Sequence, residues 1–317
     1  MILLSFDKVD RTAIQKLELE IGQEMMIKDI RKGVEDPMAK ADILIGFGPT
    51  LDALTEEVLE KFDQLKWIHT LTAGVETLPF EVLKKRNIIV TNSRGVHGKQ
   101  ISEQVLGMML SFSRGLHVNL KNQMNAKWDR KYKWSEIHGK TLCIIGAGSI
   151  GKEVARKAKA FDMKVIGVKR NISELDHFDQ IIDHKGLDEA LKVSDYILVL
   201  TPLTPETYHF IGTREFQLMK ESAIFLNFAR GDVVDEEALI QALNERMIGG
   251  AGLDVFHQEP LPPDSPLWSM ENVLISPHTS GISEQPLSRE LELFKQLYFS
   301  YQKGESLANR VDLSRQY

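Results

Sequence analysis

Three short segments of the chain each place an ionisable side chain soon after an apolar run. Arg230 follows AIFLNF, Glu259 follows GLDVF, and His278 follows VLIS. An arginine can hold a carboxylate through two parallel hydrogen bonds, a histidine titrates near neutral pH, and a neighbouring carboxylate favours its protonated form. Each residue alone is usually a surface charge. Because the three residues follow three consecutive predicted strands, they indicate a catalytic set. In this set a histidine acid lies beside an arginine that binds an anion.

A glycine motif, G-x-G-x-x-G, lies between the apolar run TLCII and a segment with a helical pattern. The first two glycines allow a tight turn and a close approach of the backbone to a pyrophosphate, and the third allows close helix packing. The free N–H groups at the start of the helix attract the anion. We therefore predict a dinucleotide site; the alternative is a glycine-rich turn in another α/β protein. The predicted residues are Gly146, Gly148, Ser149, Ile150 and Gly151.

Two basic residues, Lys169 and Arg170, follow the next apolar run, KVIGV. Enzymes specific for NAD place a carboxylate here to hold the adenosine ribose. A carboxylate would repel a 2′-phosphate, whereas a Lys-Arg pair can bind one through charge-assisted hydrogen bonds. The pair therefore predicts NADP as the preferred cofactor. In the alternative reading, both are solvated charges in an enzyme that uses NAD or both cofactors.

Short β-type runs alternate with helical patterns along the chain, which predicts parallel sheets built from βα units. Four runs (MILLSF, ADILIGF, LKWIHTL and NIIVTN) lie in the first hundred residues, and a series of six begins at Thr141. Six alternating runs are typical of a Rossmann-type, doubly wound parallel sheet. Residues 102–125 are predicted to form one long helix, because apolar residues recur there at three and four spacing without a proline. Residues 282–303 are predicted to be helical as well.

The composition is that of a globular protein and excludes several classes of partner. The 317 residues carry 39 basic and 45 acidic side chains, a formal net charge of -6, which offers no attraction for nucleic acid or an anionic membrane. Cys143 is the only cysteine, which excludes an internal disulfide and a multi-cysteine metal site. The first residues, MILLSFDKVD, are predicted to form a strand rather than a signal peptide. We expect a cytoplasmic protein that needs no metal.

Nearly the whole chain resembles the D-isomer-specific 2-hydroxyacid dehydrogenase family, which includes glyoxylate/hydroxypyruvate reductases and phosphoglycerate dehydrogenases. The resemblance rests on the glycine motif and on TLTAGVETLPFEVLKKRNIIVTNSRGVHG, TPLTPETYHFIG, LNFARGDVVDEEAL, GLDVFHQEPLPPDSPLW and ISPHTSG; the last three together are highly specific. It implies hydride transfer between NAD(P)H and a small 2-oxo acid or D-2-hydroxy acid. It also implies a dinucleotide-binding domain at residues 98–281, a flavodoxin-like α/β substrate domain at residues 1–97 and 282–317, and a site in the cleft between them.

The resemblance also implies a role for each site residue. His278 would deliver a proton to the substrate carbonyl oxygen, Glu259 would orient its ring and raise its pKa, and Arg230 would clamp the substrate. Asp254 would hold the nicotinamide carboxamide. The remaining cofactor positions are Thr201, Pro202, Ala229 and Gly281. In the family, the loop that matches Thr72, Ala73, Gly74 and Val75 meets the substrate carboxylate with its backbone N–H groups.

Several alternatives stay open. The residues do not rank glyoxylate, hydroxypyruvate, pyruvate and bulkier 2-oxo acids as substrates, nor do they give the direction of the reaction in the cell. A phosphoglycerate dehydrogenase would need a further cation, such as Arg94 or Lys99, and the chain stops at Tyr317, before the position of that family's appended regulatory domain. A nucleotide-sensing binding protein of the same fold is also an alternative.

A homodimer is expected, because the long helix and the segment after it pack across a two-fold axis in the family. Trp128, Trp134 and Trp268 are interpreted as packing residues.

Overall fold

The computed structural model describes residues 1–6, 11–284 and 286–317. The chain forms two compact units: one contains Met1–His97 and Ser283–Tyr317, and the other contains Gly98–Ile282. The strands are β1 (Ile2–Ser5), β2 (Met25–Ile27), β3 (Ile43–Gly46), β4 (Trp67–Thr70), β5 (Ile89–Asn92), β6 (Thr141–Ile145), β7 (Lys164–Val168), β8 (Gln180–Ile182), β9 (Tyr196–Val199), β10 (Ile224–Asn227), β11 (Gly250–Leu253) and β12 (Val273–Ile275). The α-helices are α1 (Arg11–Ile21), α2 (Gly48–Leu51), α3 (Glu56–Glu60), α4 (Phe80–Lys85), α5 (Gly98–Arg114), α6 (Leu116–Met124), α7 (Ser149–Lys159), α8 (Leu187–Val193), α9 (Thr213–Leu218), α10 (Glu236–Asn244) and α11 (Pro286–Gln302).

The first unit contains a parallel sheet in the order β2-β1-β3-β4-β5. This is the strand order of flavodoxin-like folds, as expected. Helix α11 packs on one face, where Phe294 stacks on the fully buried Trp67 with ring centroids 5.2 Å apart. Strand β2 was not anticipated, because its three residues are too few to show a period.

The second unit contains a parallel sheet in the order β12-β11-β10-β9-β6-β7-β8. The order reverses beside β6, which pairs with both β7 and β9, and this confirms the predicted doubly wound fold. The short strand β8 is an addition to the six predicted ones. Because all these strands are parallel, their carboxyl ends lie at one edge of the sheet, where open α/β sheets bind ligands.

The prediction of one long helix over residues 102–125 is wrong, because the chain breaks it at Gly115. Helix α5 ends at Arg114, Gly115 has a left-handed φ of 60°, and α6 begins at the next residue. A Cβ atom at Gly115 would stand 2.6 Å from the ring of Tyr132, so both the conformation and the packing require glycine. A glycine inside an apolar pattern was the available signal.

No helix within the part of the chain that the structure describes is long and apolar enough to cross a membrane. The lone Cys143, in β6, is fully buried, and burial raises the pKa of its thiol to about 12. The interpretation of this residue as an inert packing thiol is therefore confirmed.

Candidate active site

The three predicted catalytic residues lie in the second unit, in loops that follow three neighbouring strands. Arg230 follows β10, Glu259 follows β11 and His278 follows β12, and these strands pair in the order β12-β11-β10. The parallel register therefore brings the three loops to the same end of the sheet edge.

His278 and Glu259 form a hydrogen-bonded ion pair. The distance from His278 Nδ1 to Glu259 Oε2 is 2.7 Å, and the His278 side chain is 45% exposed. The pKa of His278 is raised, mainly because its ring donates a hydrogen bond to Glu259, although burial opposes the charge. Burial raises the pKa of Glu259, but hydrogen bonds from His278 and the backbone N–H of Phe256 more than offset it, so this pKa lies below its usual value. With Nδ1 engaged, Nε2 is the ring nitrogen that can exchange a proton with a bound molecule.

The loop that carries His278 is held by a buried carboxylate. Asp254 is 1% exposed and accepts hydrogen bonds from Ser276 Oγ at 2.6 Å, from the backbone N–H of Thr279 at 3.0 Å, and from both the backbone N–H and the hydroxyl of Ser280. His278 itself donates its backbone N–H to the Asp254 carbonyl oxygen at 2.8 Å. These four donors match the lone-pair positions of a carboxylate. Asp254 therefore anchors the loop, and its assignment to a nicotinamide carboxamide stays a prediction.

This anchor maintains an unfavourable backbone conformation at the histidine. His278 has a φ of 51°, in the left-handed region that costs a side-chain-bearing residue free energy. The hydrogen bonds of Asp254 on both sides of His278 keep the loop in that conformation. The imidazole is thus directed by the loop backbone as well as by Glu259.

Arg230 lies on a loop that the backbone and a buried amide hold in place. Asn227 is 2% exposed; its Nδ2 donates to the Arg230 carbonyl oxygen at 3.1 Å, and its Oδ1 accepts from the Ala229 N–H at 3.1 Å. The guanidinium donates to the Ala229 carbonyl oxygen at 2.7 Å. The positive charge of Arg230 contributes to the lowered pKa of Glu259 and partly opposes the raised pKa of His278. Arg230 therefore acts electrostatically on both residues.

A close contact and an ion pair, neither anticipated from the sequence, join the Arg230 loop to the Glu259 loop. A Cβ atom at Gly231 would stand 2.0 Å from the carbonyl carbon of Phe256, so only glycine allows the two backbones to pack. Next to this contact, His257 Nδ1 pairs with the Asp232 carboxylate, and the His257 N–H donates to Glu236 at 3.0 Å. The pKa of His257 is raised, mainly because its ring donates a hydrogen bond to Asp232. His257 is not among the site residues predicted from the sequence.

The glycine motif forms the turn between β6 and α7. Gly146 has a φ of 101°, and a Cβ atom there would stand 2.7 Å from the backbone of Thr201. At Gly151 a Cβ atom would meet the Gly146 carbonyl oxygen and Ile144 Cγ2 at 3.1 Å, so this glycine permits the helix to pack on the strand. Gly148 faces open space, with its nearest neighbour 4.0 Å away. The motif thus has two packing glycines and one that leaves room for a ligand.

The surroundings of this turn fit the phosphates of a dinucleotide. Helix α7 begins at Ser149, followed by Ile150, and its N-cap residue is a glycine that has no side chain to occupy the first N–H groups. Among the side chains that the structure describes, Thr201 Oγ1 is the buried polar atom without a hydrogen-bond partner. A buried hydroxyl without a partner beside free helix N–H groups is suited to a polar ligand.

The other predicted cofactor residues lie at the same sheet edge. Pro202 follows Thr201 and is exposed, and its carbonyl oxygen accepts from Thr207 Oγ1 at 2.6 Å. Ala229 precedes Arg230, and the Gly281 carbonyl oxygen accepts from Gln100 at 3.0 Å. Their roles stay predictions.

The two basic residues after β7 are exposed enough to meet a ligand and already have polar partners. Lys169 Nζ donates to Ser173 Oγ at 3.0 Å, and Arg170 forms an ion pair with Glu206. Among the residues that the structure describes, no cluster of three or more His, Cys, Asp or Glu side chains is arranged to hold a metal ion.

The predicted substrate loop lies in the first unit, after β4, and its carbonyl groups are occupied by the protein. The carbonyl oxygens of Thr72, Ala73, Gly74 and Val75 accept hydrogen bonds at 2.9, 2.8, 2.8 and 3.0 Å, respectively. The donors are the Ser93 N–H, Asn92 Nδ2, Thr72 Oγ1 and the Leu78 N–H. A loop whose carbonyls are fixed in this way can present its N–H groups to an anion.

Comparisons with known proteins place these features in a family. Residues 106–280 match the model of the D-isomer specific 2-hydroxyacid dehydrogenase, NAD binding domain. A D-3-phosphoglycerate dehydrogenase from Methanocaldococcus jannaschii is 33% identical over 98% of this chain, which spans 59% of that relative's length. A glyoxylate reductase from Korarchaeum cryptofilum is 34% identical over a stretch that covers 82% of this chain and 80% of the relative's own length. The crystal structure of a D-isomer specific 2-hydroxyacid dehydrogenase family protein from Aeromonas salmonicida superposes with a TM-score of 0.86 at 32% identity, covering 98% of this chain and 99% of that one.

Proposed function

We propose that the chain, which belongs to the D-isomer-specific 2-hydroxyacid dehydrogenase family, reduces a small 2-oxo acid of the glyoxylate or hydroxypyruvate class. The preferred hydride donor in this proposal is NADPH. Membership in this family makes the chain an NAD(P)-dependent oxidoreductase. The observation that carries the proposal is the His278–Glu259 pair at 2.7 Å, with the Arg230 charge acting on both members.

The side chains divide the work as follows. A bound nicotinamide supplies the hydride that reduces the carbonyl carbon. His278 Nε2 donates the proton that the carbonyl oxygen gains, and Glu259 stabilises the protonated imidazole before that transfer. Arg230 holds the substrate carboxylate and stabilises the negative charge that develops on the carbonyl oxygen. The assignment of the backbone N–H groups of residues 73–75 to a substrate carboxylate stays a prediction from the family resemblance.

The glyoxylate reductase relative, which matches most of this chain and most of its own length, supports an unphosphorylated substrate. Phosphohydroxypyruvate is the second candidate, supported by the phosphoglycerate dehydrogenase relative. Its phosphate needs a cation beyond Arg230, for which Arg94 and Lys99 remain the candidates.

A panel of 2-oxo acids tests this assignment. NADPH oxidation should be fastest with glyoxylate or hydroxypyruvate and much slower with phosphohydroxypyruvate. Preference for the phosphorylated acid would replace the first substrate assignment with the second. No turnover with any 2-oxo acid would favour the nucleotide-sensing alternative.

The cofactor assignment is supported by Lys169 and Arg170, which stand where NAD-specific enzymes place a carboxylate. Their charges can be shared with an adenosine 2′-phosphate, whereas the adenosine ribose of NAD offers only hydroxyl groups. The proposed preference for NADPH is one order of magnitude or more in kcat/KM.

The quaternary assignment is a homodimer, supported by an apolar surface on α6. Within the described residues this helix buries no side chain, and Leu116, Leu120 and Met124, spaced four apart on one face, are 51%, 59% and 81% exposed. Trp128 follows and is 88% exposed, so its interpretation as a packing residue is wrong for the single chain; Trp134 and Trp268 are also exposed, at 44% and 53%.

A second copy of the chain would cover this surface. Sedimentation should give a dimer for the natural protein and a monomer for Leu120→Asp. A wild-type monomer of 36.0 kDa would contradict the assignment. The expected cytoplasmic location stays a prediction.

A further inference from the structure

A carboxylate pairs with one of the two basic residues at the rim of the proposed dinucleotide site. Glu206 lies in the loop that follows β9 and begins with Leu200 and Thr201. It accepts a hydrogen bond from Arg170 Nη2 and forms an ion pair with that guanidinium. Glu206 is 72% exposed and Arg170 is 49% exposed, so a ligand can reach both from solvent.

The loop does not depend on the Glu206 carboxylate for its shape. Thr207 Oγ1 donates to the Pro202 carbonyl oxygen at 2.6 Å and accepts from the Thr204 N–H at 2.8 Å. The Tyr208 N–H donates to the Thr204 carbonyl oxygen at 3.0 Å. These bonds close the turn around Glu206 and leave its side chain to interact with Arg170. A change of that carboxylate is therefore expected to alter charge with little effect on the fold.

The Arg170–Glu206 pair opposes the binding of a phosphate. A 2′-phosphate takes its strongest hydrogen bonds from a guanidinium, and Arg170 makes them fully only when it is released from Glu206. The carboxylate also repels the phosphate directly. A ribose 2′-hydroxyl neither requires the release of Arg170 nor is repelled by the carboxylate, because it can donate a hydrogen bond to Glu206.

We propose that Glu206 is a specificity-determining residue that competes with an adenosine 2′-phosphate for Arg170 and so reduces the preference for NADPH over NADH. This inference rests on the proposed NADPH site, in which Lys169 and Arg170 hold the phosphate. With this competition, the enzyme prefers NADPH but is not strictly specific for it.

The test uses nucleotides that cannot react. Binding of 2′,5′-ADP and of 5′-ADP is measured by calorimetry for the natural protein, for Glu206→Gln and for Glu189→Gln. Glu189 is a matched control because it is 76% exposed and pairs with Lys192 at 2.6 Å, so its change removes the same charge. We expect Glu206→Gln to bind 2′,5′-ADP about fivefold more tightly, the upper end for an exposed ion pair. Binding of 5′-ADP should not tighten, and Glu189→Gln should behave like the natural protein.

Two further variants separate a failure of this inference from a failure of the NADPH site. If Arg170→Ala weakens 2′,5′-ADP binding and Glu206→Gln does not strengthen it, the NADPH site stands and the role of Glu206 is wrong. If neither change affects binding and the protein does not distinguish 2′,5′-ADP from 5′-ADP, the NADPH site and the inference both fail. In Arg170→Ala/Glu206→Gln the gain should shrink; an undiminished gain would show that Glu206 does not act through Arg170.

Discussion

The two ends of the carboxyl edge of the seven-stranded sheet hold their charged residues in different ways. Beside β10, β11 and β12, the buried Asp254 and Asn227 tie the catalytic loops to one another and to the backbone. Beside β7 and β9, Lys169 bonds to Ser173 and Arg170 pairs with Glu206, all through side chains at the surface. A buried polar group that loses its partner costs about 1–3 kcal/mol, whereas an exposed ion pair contributes about 0.2–1 kcal/mol.

This difference indicates that the two ends serve different requirements. Proton transfer needs an imidazole held in one orientation, which buried hydrogen bonds provide. Cofactor preference needs only a balance of charges that solvent screens. Changes at the catalytic end should therefore cause large losses, and changes at the nucleotide rim should cause shifts of about tenfold or less.

The largest effect is expected at His278. His278→Gln should reduce kcat about 10²–10⁴-fold, because it removes the proton donor and leaves the nucleotide loops unchanged. Steady-state kinetics with glyoxylate and titration with NADPH measure the two quantities, and cofactor affinity should change little. His138→Gln is the control, because His138 is 71% exposed and pairs only with Asp162 among the described ion pairs. Nearly full activity in His278→Gln would rule out the mechanism.

A second large effect is expected at Asp254. Asn replaces one acceptor oxygen by an NH₂ group that faces donors of the His278 loop, so Asp254→Asn should lower the free energy of unfolding by about 1–3 kcal/mol. The melting temperature of the cofactor-free protein should fall by several degrees. kcat should fall as well, because His278 loses its loop support.

This variant separates the two roles considered for Asp254. If the residue served only to hold the nicotinamide, the cofactor-free protein would keep its melting temperature while cofactor affinity fell. That result would contradict the role of Asp254 in holding the His278 loop. It would also mean that the catalytic end of the sheet edge does not depend on buried hydrogen bonds more than the nucleotide rim does.

At the other end of the sheet edge, Lys169→Asp should shift the cofactor preference by about tenfold in kcat/KM. The change removes a cation from the 2′-phosphate and gives the ribose hydroxyls of NAD an acceptor. The ratio of kcat/KM with NADPH and NADH is the measurement. Lys185→Asp, on the same domain and in a surface turn, is the matched control for net charge. An unchanged ratio in Lys169→Asp would mean that Lys169 is only a solvated charge.

The same division separates what the sequence predicts from what it does not. The positions of most strands follow from the apolar runs, because buried parallel strands consist of continuous apolar residues that are visible in the sequence. The glycine motif and the alternation of these runs with helical patterns indicate the doubly wound fold. The runs also locate Arg230, Glu259 and His278 at the ends of neighbouring strands. The missed strand β8 begins with the exposed Gln180 and has only three residues, too few for a period.

The contacts among the loops are not visible in the sequence. The four donors to Asp254 come from residues more than 20 positions away, and the sequence does not show that this aspartate holds the His278 loop. The contact of Gly231 with Phe256 likewise depends on two loops meeting in space. Fixed side-chain partners require the fold, whereas the positions of the loops along the sheet edge require only the strand pattern.

The smallest effect is expected at the Asp232–His257 pair, which joins the two catalytic loops but is exposed. His257 is 60% exposed and Asp232 is 30% exposed, so the pair should behave like the nucleotide rim although it lies at the catalytic end. Asp232→Asn should raise the KM for the 2-oxo acid up to about fivefold, because the Arg230 loop loses one of its links to the Glu259 loop. kcat should change less. His257→Gln should match it, and the double variant should add little, because both changes break the same pair.

The pH dependence of this effect follows from the raised pKa of His257. A group whose pKa is raised by folding contributes its full stabilisation below its ordinary value, here 6.5, and loses it as the pH rises through the raised value. The difference in KM between Asp232→Asn and the natural protein should therefore be largest near about pH 6 and disappear at alkaline pH. An equal difference at both pH values would show that the Asp232 carboxylate acts without a protonated His257, through its own charge near Arg230. A loss approaching that of His278→Gln would show instead that even exposed bonds at this end of the sheet determine catalysis.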